Sequence, residues 1–284
     1  MLIPLLTGLL FAADAGTGRA LDLYNHADYA DAIAILGHEA PDARNLELLG
    51  QCYFFLGDFK SALGALEKAA AISPSDSMIR TWLGRAWGGR AATAFAFQAF
   101  GYARKAREAF ENAVRLDPSN RFALSDLFDF YIEAPRVLGG GLQKAQDLIP
   151  RMERYDAVGA RLAQARVDEA NKQFDKAEAQ FREAIRLGSG SGKDDKVILL
   201  LDLAQFLARR GRYGESDKTF DEAAAVAPDS PRVLFARAET DIPAGRNLQH
   251  ARDLLKKYLA AKNLTPEDPP RWEALRLLGR AGGN

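Results

Sequence analysis

A short motif recurs along this chain, and it restricts the fold more than any other feature. An Ala is followed four positions on by a large apolar residue, three further on by a small residue, and often by a Pro. Ala62, Leu66, Ala69 and Pro74 make one full copy, and Ala106, Phe110, Ala113 and Pro118 another. Ser216, Phe220, Ala223 and Pro228 make a third, and Ala177, Phe181 and Ala184 repeat it without the Pro. Weaker copies begin at Ala32, Ala145 and Ala251. Steps of four and three place these residues on one side of a helix. The Pro closes each copy, because it lacks an N–H and clashes with the preceding turn. The leading residues are spaced 30 to 44 positions apart, which is room for two helices and their turns. A helix pair of this kind leaves an apolar flank exposed until the next pair covers it, so the units must stack.

The first helix of each pair carries its own pattern. Leu46, Leu49-Gly50 and Tyr53 precede Gly57-Asp58-Phe59 and Ala62. Leu83-Gly84 with Trp87 opens a later copy, and Leu203-Ala204 with Leu207, then Gly211-Arg212-Tyr213, another. These residues resemble the tetratricopeptide repeat, whose pattern is W-x₂-L-G-x₂-Y, then A-x₃-F and Pro, at a period of ~34. The resemblance extends over residues 20–280, ending in a half-repeat around Trp272, Leu275 and Leu278. It implies an all-α fold, an α-solenoid of six to seven helix–turn–helix repeats wound as a right-handed superhelix. It also implies a protein-interaction scaffold rather than an enzyme, since members of that family bind peptides or helices of other proteins in the groove. Asp76 and Asn120, in Ser-Pro-Ser-Asp and Asp-Pro-Ser-Asn, are expected to cap the next helices.

Two departures from the repeat interrupt a solenoid expected over 16–284. Near 88–102 about ten extra residues separate Trp87 from Ala106. No Pro interrupts them, so both helices of that pair are expected to lengthen. Phe95, Phe97 and Phe100 then either pack along the extension with Tyr102 or form a protruding apolar ledge that meets a partner. Near 133–142, Pro135 ends a helix and Gly139-Gly140-Gly141 forms a pliable loop. It is not a phosphate loop, as no Lys-Ser/Thr follows and no strand precedes it. Gly188-Ser189-Gly190-Ser191-Gly192 reads as another flexible joint.

Charge and composition narrow the function. Lys plus Arg and Asp plus Glu both number 38, a balance that argues against a nucleic-acid-coating protein. Cys52 stands alone in an apolar stretch and reads as a core residue. The three histidines, His26, His38 and His250, form no ligand-spaced pair, so no metal, cofactor or catalytic residue is assigned. The apolar run from Leu2 to Ala13 is too short to span a bilayer, for which ~20 residues are needed. Followed by the A-x-A site at Ala13-Asp14-Ala15, it reads as a signal peptide over 1–15, and the chain as periplasmic or secreted. The alternative is a cytoplasmic chain whose apolar start caps the solenoid.

The residue after the small Gly or Ala in each first helix begins a second stripe, which in the resembled family lines the concave face. Here it reads Gln51, Arg85, Leu127, Arg166, Gln205 and Arg237, with Phe54, Phe130 and Tyr131 one turn onward. Arginines interleaved with aromatics suit a partner segment bearing carboxylates and an apolar anchor. A different class of function is an extracytoplasmic small-molecule binder or transport accessory, with the ledge and the glycine loop closing over a pocket. If the N-terminal reading holds, mass spectrometry of the protein recovered from its native host finds Gly16 as the first residue. An intact Met1 chain refutes it.

Overall fold

The computed structural model describes the backbone of residues 5–188, 190, 192–228 and 230–282, with side chains from Ala15 onward. Among these residues there are fifteen α-helices and no strand. They are α1 (Leu5–Asn25), α2 (Tyr29–Leu36), α3 (Ala43–Phe55), α4 (Phe59–Ile72), α5 (Ser77–Thr93), α6 (Ala96–Leu116) and α7 (Arg121–Glu133). A 3₁₀ turn at Arg136–Leu138 leads to α8 (Leu142–Tyr155), α9 (Ala157–Ala170), α10 (Phe174–Gly188) and α11 (Lys193–Arg209). Last come α12 (Tyr213–Val226), α13 (Pro231–Asp241), α14 (Leu248–Ala260) and α15 (Arg271–Ala281). Neighbouring helices pack as antiparallel pairs, among them α3 with α4, α5 with α6, α9 with α10, α11 with α12 and α13 with α14, and the architecture is an all-α solenoid.

The chain divides into two compact units. The first runs through Asp126 and adds Lys262–Trp272; the second holds Leu127–Ala261 and the residues from Glu273 on. In the first, α1–α2, α3–α4 and α5–α6 pair, and in the last two close helix approach depends on glycine. A Cβ on Gly50 would lie 2.5 Å from Leu66, and one on Gly84 2.3 Å from the Phe110 ring. Each small residue of the first helix thus receives the large residue of the second, as the motif requires. Tyr24, Tyr29, Phe54, Phe55, Phe59 and Trp82 join these helices in an edge-and-stack aromatic cluster. Cys52 is fully buried, and burial pushes its thiol up to about 12, as suits a core residue.

In the second unit α9–α10, α11–α12 and α13–α14 pair in the same way. Phe181 packs with Phe206, Leu203 and Leu207, while Phe220 packs with Leu200, Leu201, Ala204 and Val233. Helix ends follow the sequence. α4, α6 and α12 stop two residues before Pro74, Pro118 and Pro228. Asp76 accepts from the Met78 and Ile79 amides at 2.8 and 3.2 Å, and Asn120 accepts from Ala123 N at 3.0 Å. Pro150 lies inside α8, a position the sequence pattern does not anticipate.

The loop after α7 is more tightly tied than three glycines suggest. Gly139 and Gly141 have φ of 90° and 150°, which disfavour other residues. A Cβ on Gly140 would sit 1.9 Å from the Ala134 carbonyl oxygen. Gly141 N donates to Tyr131 O at 2.7 Å, and Lys144 Nζ donates to Gly139 O at 2.9 Å. The glycines serve close approach and a reversed φ rather than pliability. The 188–192 joint includes Ser189 and Ser191, which lie outside the described residues, as do the first four residues of the expected signal peptide; α1 runs through Ala15.

Replacing Phe181 or Phe220 by Ala should cost about 3–5 kcal/mol through lost burial and the cavity left behind. Gly84→Ala should cost about 1–3 kcal/mol by overpacking against Phe110. Denaturant titrations of the three variants check both, and unchanged midpoints would show the helix register to be wrong.

Candidate partner-binding faces

Within each unit the first helices of successive hairpins lie side by side and share one lateral face. Ion pairs joining these neighbours define it. In the first unit Arg85 on α5 donates to Asp126 on α7, with Nε 2.6 Å from Oδ2 and Nη2 3.3 Å from Oδ1. Its guanidinium lies 4.6 Å from the centre of the Trp82 ring and 5.9 Å from that of Phe122. On α3, Gln51 Nε2 donates to Glu47 Oε1 at 3.0 Å. Burial, reinforced by Asp76, raises the Glu47 carboxyl above its usual range. Phe54 is held edge-on by Phe55, Phe59 and Trp82 at 5.6 Å each, so it joins helices rather than standing open.

In the second unit Arg166 on α9 reaches back to α7, donating to Asp129 and, at 3.0 Å, to Glu133. Arg209 on α11 reaches back to Glu169 on α9 with two bonds of 2.9 Å. Gln205 on α11 donates to Glu239 on α13 at 3.3 Å. Asp202, three residues before Gln205, faces Arg166, Arg209 and Asp129, and burial pushes its carboxyl up to about 6 despite the two arginines. Glu239 is raised by burial, and Glu273 on α15 by burial and by Glu239, with Arg276 opposing both. An open recess of about 540 Å³ in the same unit is lined by Gln205, Arg209, Tyr213, Glu239 and Thr240 among others.

The structure brings Gln51, Arg85, Arg166 and Gln205 onto these faces and corrects the stripe at two helices. Leu127 is 3% exposed and belongs to the core; its neighbour Asp126, which follows the small Ser125, takes the lateral position. Arg237 turns toward α12, where it donates to Asp221 at 2.9 Å and lies 5.7 Å from the Phe220 ring. Glu239, after the fully buried Ala238, is the lateral residue of α13. Phe130 and Tyr131 are half-buried, 6.4 Å apart and edge-on, with Lys144 Nζ 5.2 Å from the Tyr131 ring.

Arginines open to a partner's carboxylates, as expected from sequence, are not what the structure holds. Arg85 and Arg166 are engaged by Asp126, Asp129 and Glu133 of this same chain. All three acids lie on α7, where the one-residue slip from Leu127 to Asp126 hid them from the sequence pattern. The ledge residues Phe95, Phe97 and Phe100 do not pack into the extension: they are 79%, 79% and 53% exposed. No group of three or more metal-ligating side chains occurs among the described residues, and no described helix is long and apolar enough to cross a membrane.

Comparison with known proteins agrees with this architecture. Residues 43–76 match the family model described as tetratricopeptide repeat. This segment is a tetratricopeptide repeat, set in an all-α solenoid. A tetratricopeptide-repeat protein from Parabacteroides merdae is 15% identical over 95% of this chain and 99% of its own, with a TM-score of 0.58. A thermophilic one from Thermus thermophilus is 19% identical over 72% of this chain and 98% of its own, with a TM-score of 0.53. The Cut9–Hcn1 hetero-tetramer of APC/C gives 16% identity over 92% of this chain and 48% of the matched chain, with a TM-score of 0.50. At such identities these show the fold alone. No curated protein matches in sequence. The 43–76 repeat spans α3 and α4, so the lateral face begins inside the matched segment.

The raised Asp202 carboxyl has a consequence for stability. Its folded value of about 6 exceeds the ordinary 3.8, so the folded chain holds the proton more tightly than the unfolded one. Its stabilising contribution is therefore present below about pH 4 and is lost as pH rises to about 6. Asp202→Asn should melt higher than the parent at pH 7, with the difference closing toward pH 4. Thermal melts across that range check it, and a variant less stable at pH 7 contradicts it.

Proposed function

We propose that this tetratricopeptide-repeat protein is a non-enzymatic scaffold that binds a segment of another polypeptide along the lateral face of its first helices. The fold is consistent with a protein-interaction role. The observation that carries the finer reading is the charge on that face in the second unit. Asp129, Glu133, Glu169, Asp202, Glu239 and Glu273 oppose only Arg166, Arg209 and Arg276. Asp202 and Glu273 make no hydrogen bond among the described residues. Carboxylates crowded on a half-buried surface are relieved by an incoming cation, so the partner segment carries Lys or Arg. Its sign is the reverse of that expected from the arginines alone. The recess beside Tyr213 and Pro243 offers room for one side chain of such a segment. Export to the periplasm or beyond accompanies this reading as an expectation from the N-terminal sequence. No observation favours the small-molecule binder.

The test is affinity capture from the native host with cross-linking mass spectrometry, comparing the parent with Asp202→Asn/Glu273→Gln. Both residues lack arginine hydrogen bonds, so the helices should be undisturbed and circular dichroism unchanged. Cross-links should connect a basic segment to α9, α11 and α13, capture should weaken with salt, and the variant should lose about tenfold in affinity, as for a desolvated charge contact. Capture that is equal for the two proteins and indifferent to salt would remove the face from consideration.

A further inference from the structure

The α5–α6 hairpin has a feature that the scaffold role leaves unused. Between Asp76 and Glu108 the sequence contains no Asp or Glu, yet it contains Arg80, Arg85, Arg90, Arg104, Lys105 and Arg107. Within that span residues 91–103 carry no charge at all. α5 and α6 are longer than α3 and α4, and the extra length is at the end where α5 turns into α6. Gly89 marks where the overshoot begins. A Cβ there would lie 2.3 Å from the ring of Phe59, the first residue of α4, so beyond Gly89 α5 outruns its neighbour. Thr93 ends α5 and Ala96 begins α6, with Phe95 as the N-cap.

The residues of this tip are sorted into layers along the hairpin. Outermost are Phe95 and Phe97, the most exposed large apolar side chains among the described residues, with Phe100 beside them. Behind them Trp87 and Tyr102 stack at 5.5 Å, both half-buried. The cations sit at that level. Arg90 lies 5.1 Å from the Tyr102 ring and donates to its hydroxyl at 3.2 Å, and Lys105 Nζ lies 4.1 Å from the Trp87 ring. Neither forms an ion pair among the described residues. Arg104 and Arg107 reach Glu108 and Glu111 one turn further back, at 3.7 and 3.6 Å. From Phe97 to Lys105 the helix rises about 12 Å.

We propose that the α5–α6 tip is a membrane-docking element that inserts Phe95, Phe97 and Phe100 into the outer part of an anionic lipid surface. The order of side chains is that of a bilayer interface: apolar rings for the acyl region, Trp and Tyr for the boundary, and cations for the lipid phosphates. The depth also fits, since interfacial elements enter about 5–10 Å and Lys105, about 12 Å behind Phe97 along the helix, then stays at the headgroup level. A protein partner would have to surround a narrow, convex knob with no flanking acceptor for its cations. A lipid surface closes around a knob of any outline, and anionic headgroups complement the charge. The tip would hold the chain at the membrane reversibly, leaving the lateral face of the second unit to its own partner.

The experiment is co-sedimentation of the full chain with phosphatidylcholine vesicles, with and without about 30% phosphatidylglycerol. The parent should bind the anionic vesicles at least about tenfold more tightly than the neutral ones and be released by salt. Phe95→Ser/Phe97→Ser/Phe100→Ser should lose vesicle binding without a change in melting temperature, because these rings contribute little to the core. Arg90→Gln/Lys105→Gln should remove the preference for anionic vesicles and leave weak neutral binding. Failure of the parent to sediment overturns the proposal, as does undiminished binding of the triple variant. If the parent instead self-associates in light scattering, loses this with the triple variant and ignores vesicles, the tip is a contact between copies and the lipid assignment is wrong.

Discussion

The contact between a small residue on one helix and a large one on its partner is the constraint from which the rest of this structure follows. Gly50 against Leu66 and Gly84 against Phe110 leave no room for a Cβ, so the helix axes come close and the register of each hairpin is set. Once that register is set, the opposite side of each first helix faces the same side of the next first helix. The residues there are then compelled to be compatible across repeats. Dispersion and burial hold the hairpins together, while the lateral face is left to polar groups, which can be exchanged without loss of the core.

Those polar groups form a ladder of arginine–carboxylate contacts rather than a field of free arginines. Arg85 with Asp126, Arg166 with Asp129 and Glu133, and Arg209 with Glu169 each join successive first helices of one unit. Partly exposed pairs contribute about 0–1 kcal/mol each, too little to define the fold but enough to orient side chains. Their more important effect is on the sign of the face. The arginines are met by acids of this same chain, and in the second unit carboxylates outnumber arginines on that face.

The α5–α6 hairpin shows the opposite economy. Its inner half obeys the repeat, with Gly84, Ala106 and Phe110 buried, and its outer half runs past the start of α4 at Phe59. Apolar residues placed there cannot contribute to a core. Phe95 and Phe97 raise the cost of staying in water, which is why an external surface is the natural destination for them.

The fold was legible because its determinants are local and repeated. A helix period, a closing Pro and a capping Asp or Asn each act within one or two turns, and recurrence at intervals of 30 to 44 residues compounds them. Cys52 in the core, the capping roles of Asp76 and Asn120, and the helix ends before Pro74, Pro118 and Pro228 could all be read in this way. The lateral faces could not. Placing a side chain there depends on helix rotation, and one residue of slip turns it by about 100°, which is the difference between Leu127 in the core and Asp126 beside Arg85. Which charge meets which depends further on a neighbour thirty or more residues away. Whether Phe95, Phe97 and Phe100 were buried or bare depended on where α4 begins relative to Gly89. The sequence alone determined the repeating hairpin, because small-against-large packing is written into each copy. Only the tertiary structure decided the charge of the surface and the bareness of the tip, because both arise from distances between repeats that no single copy encodes.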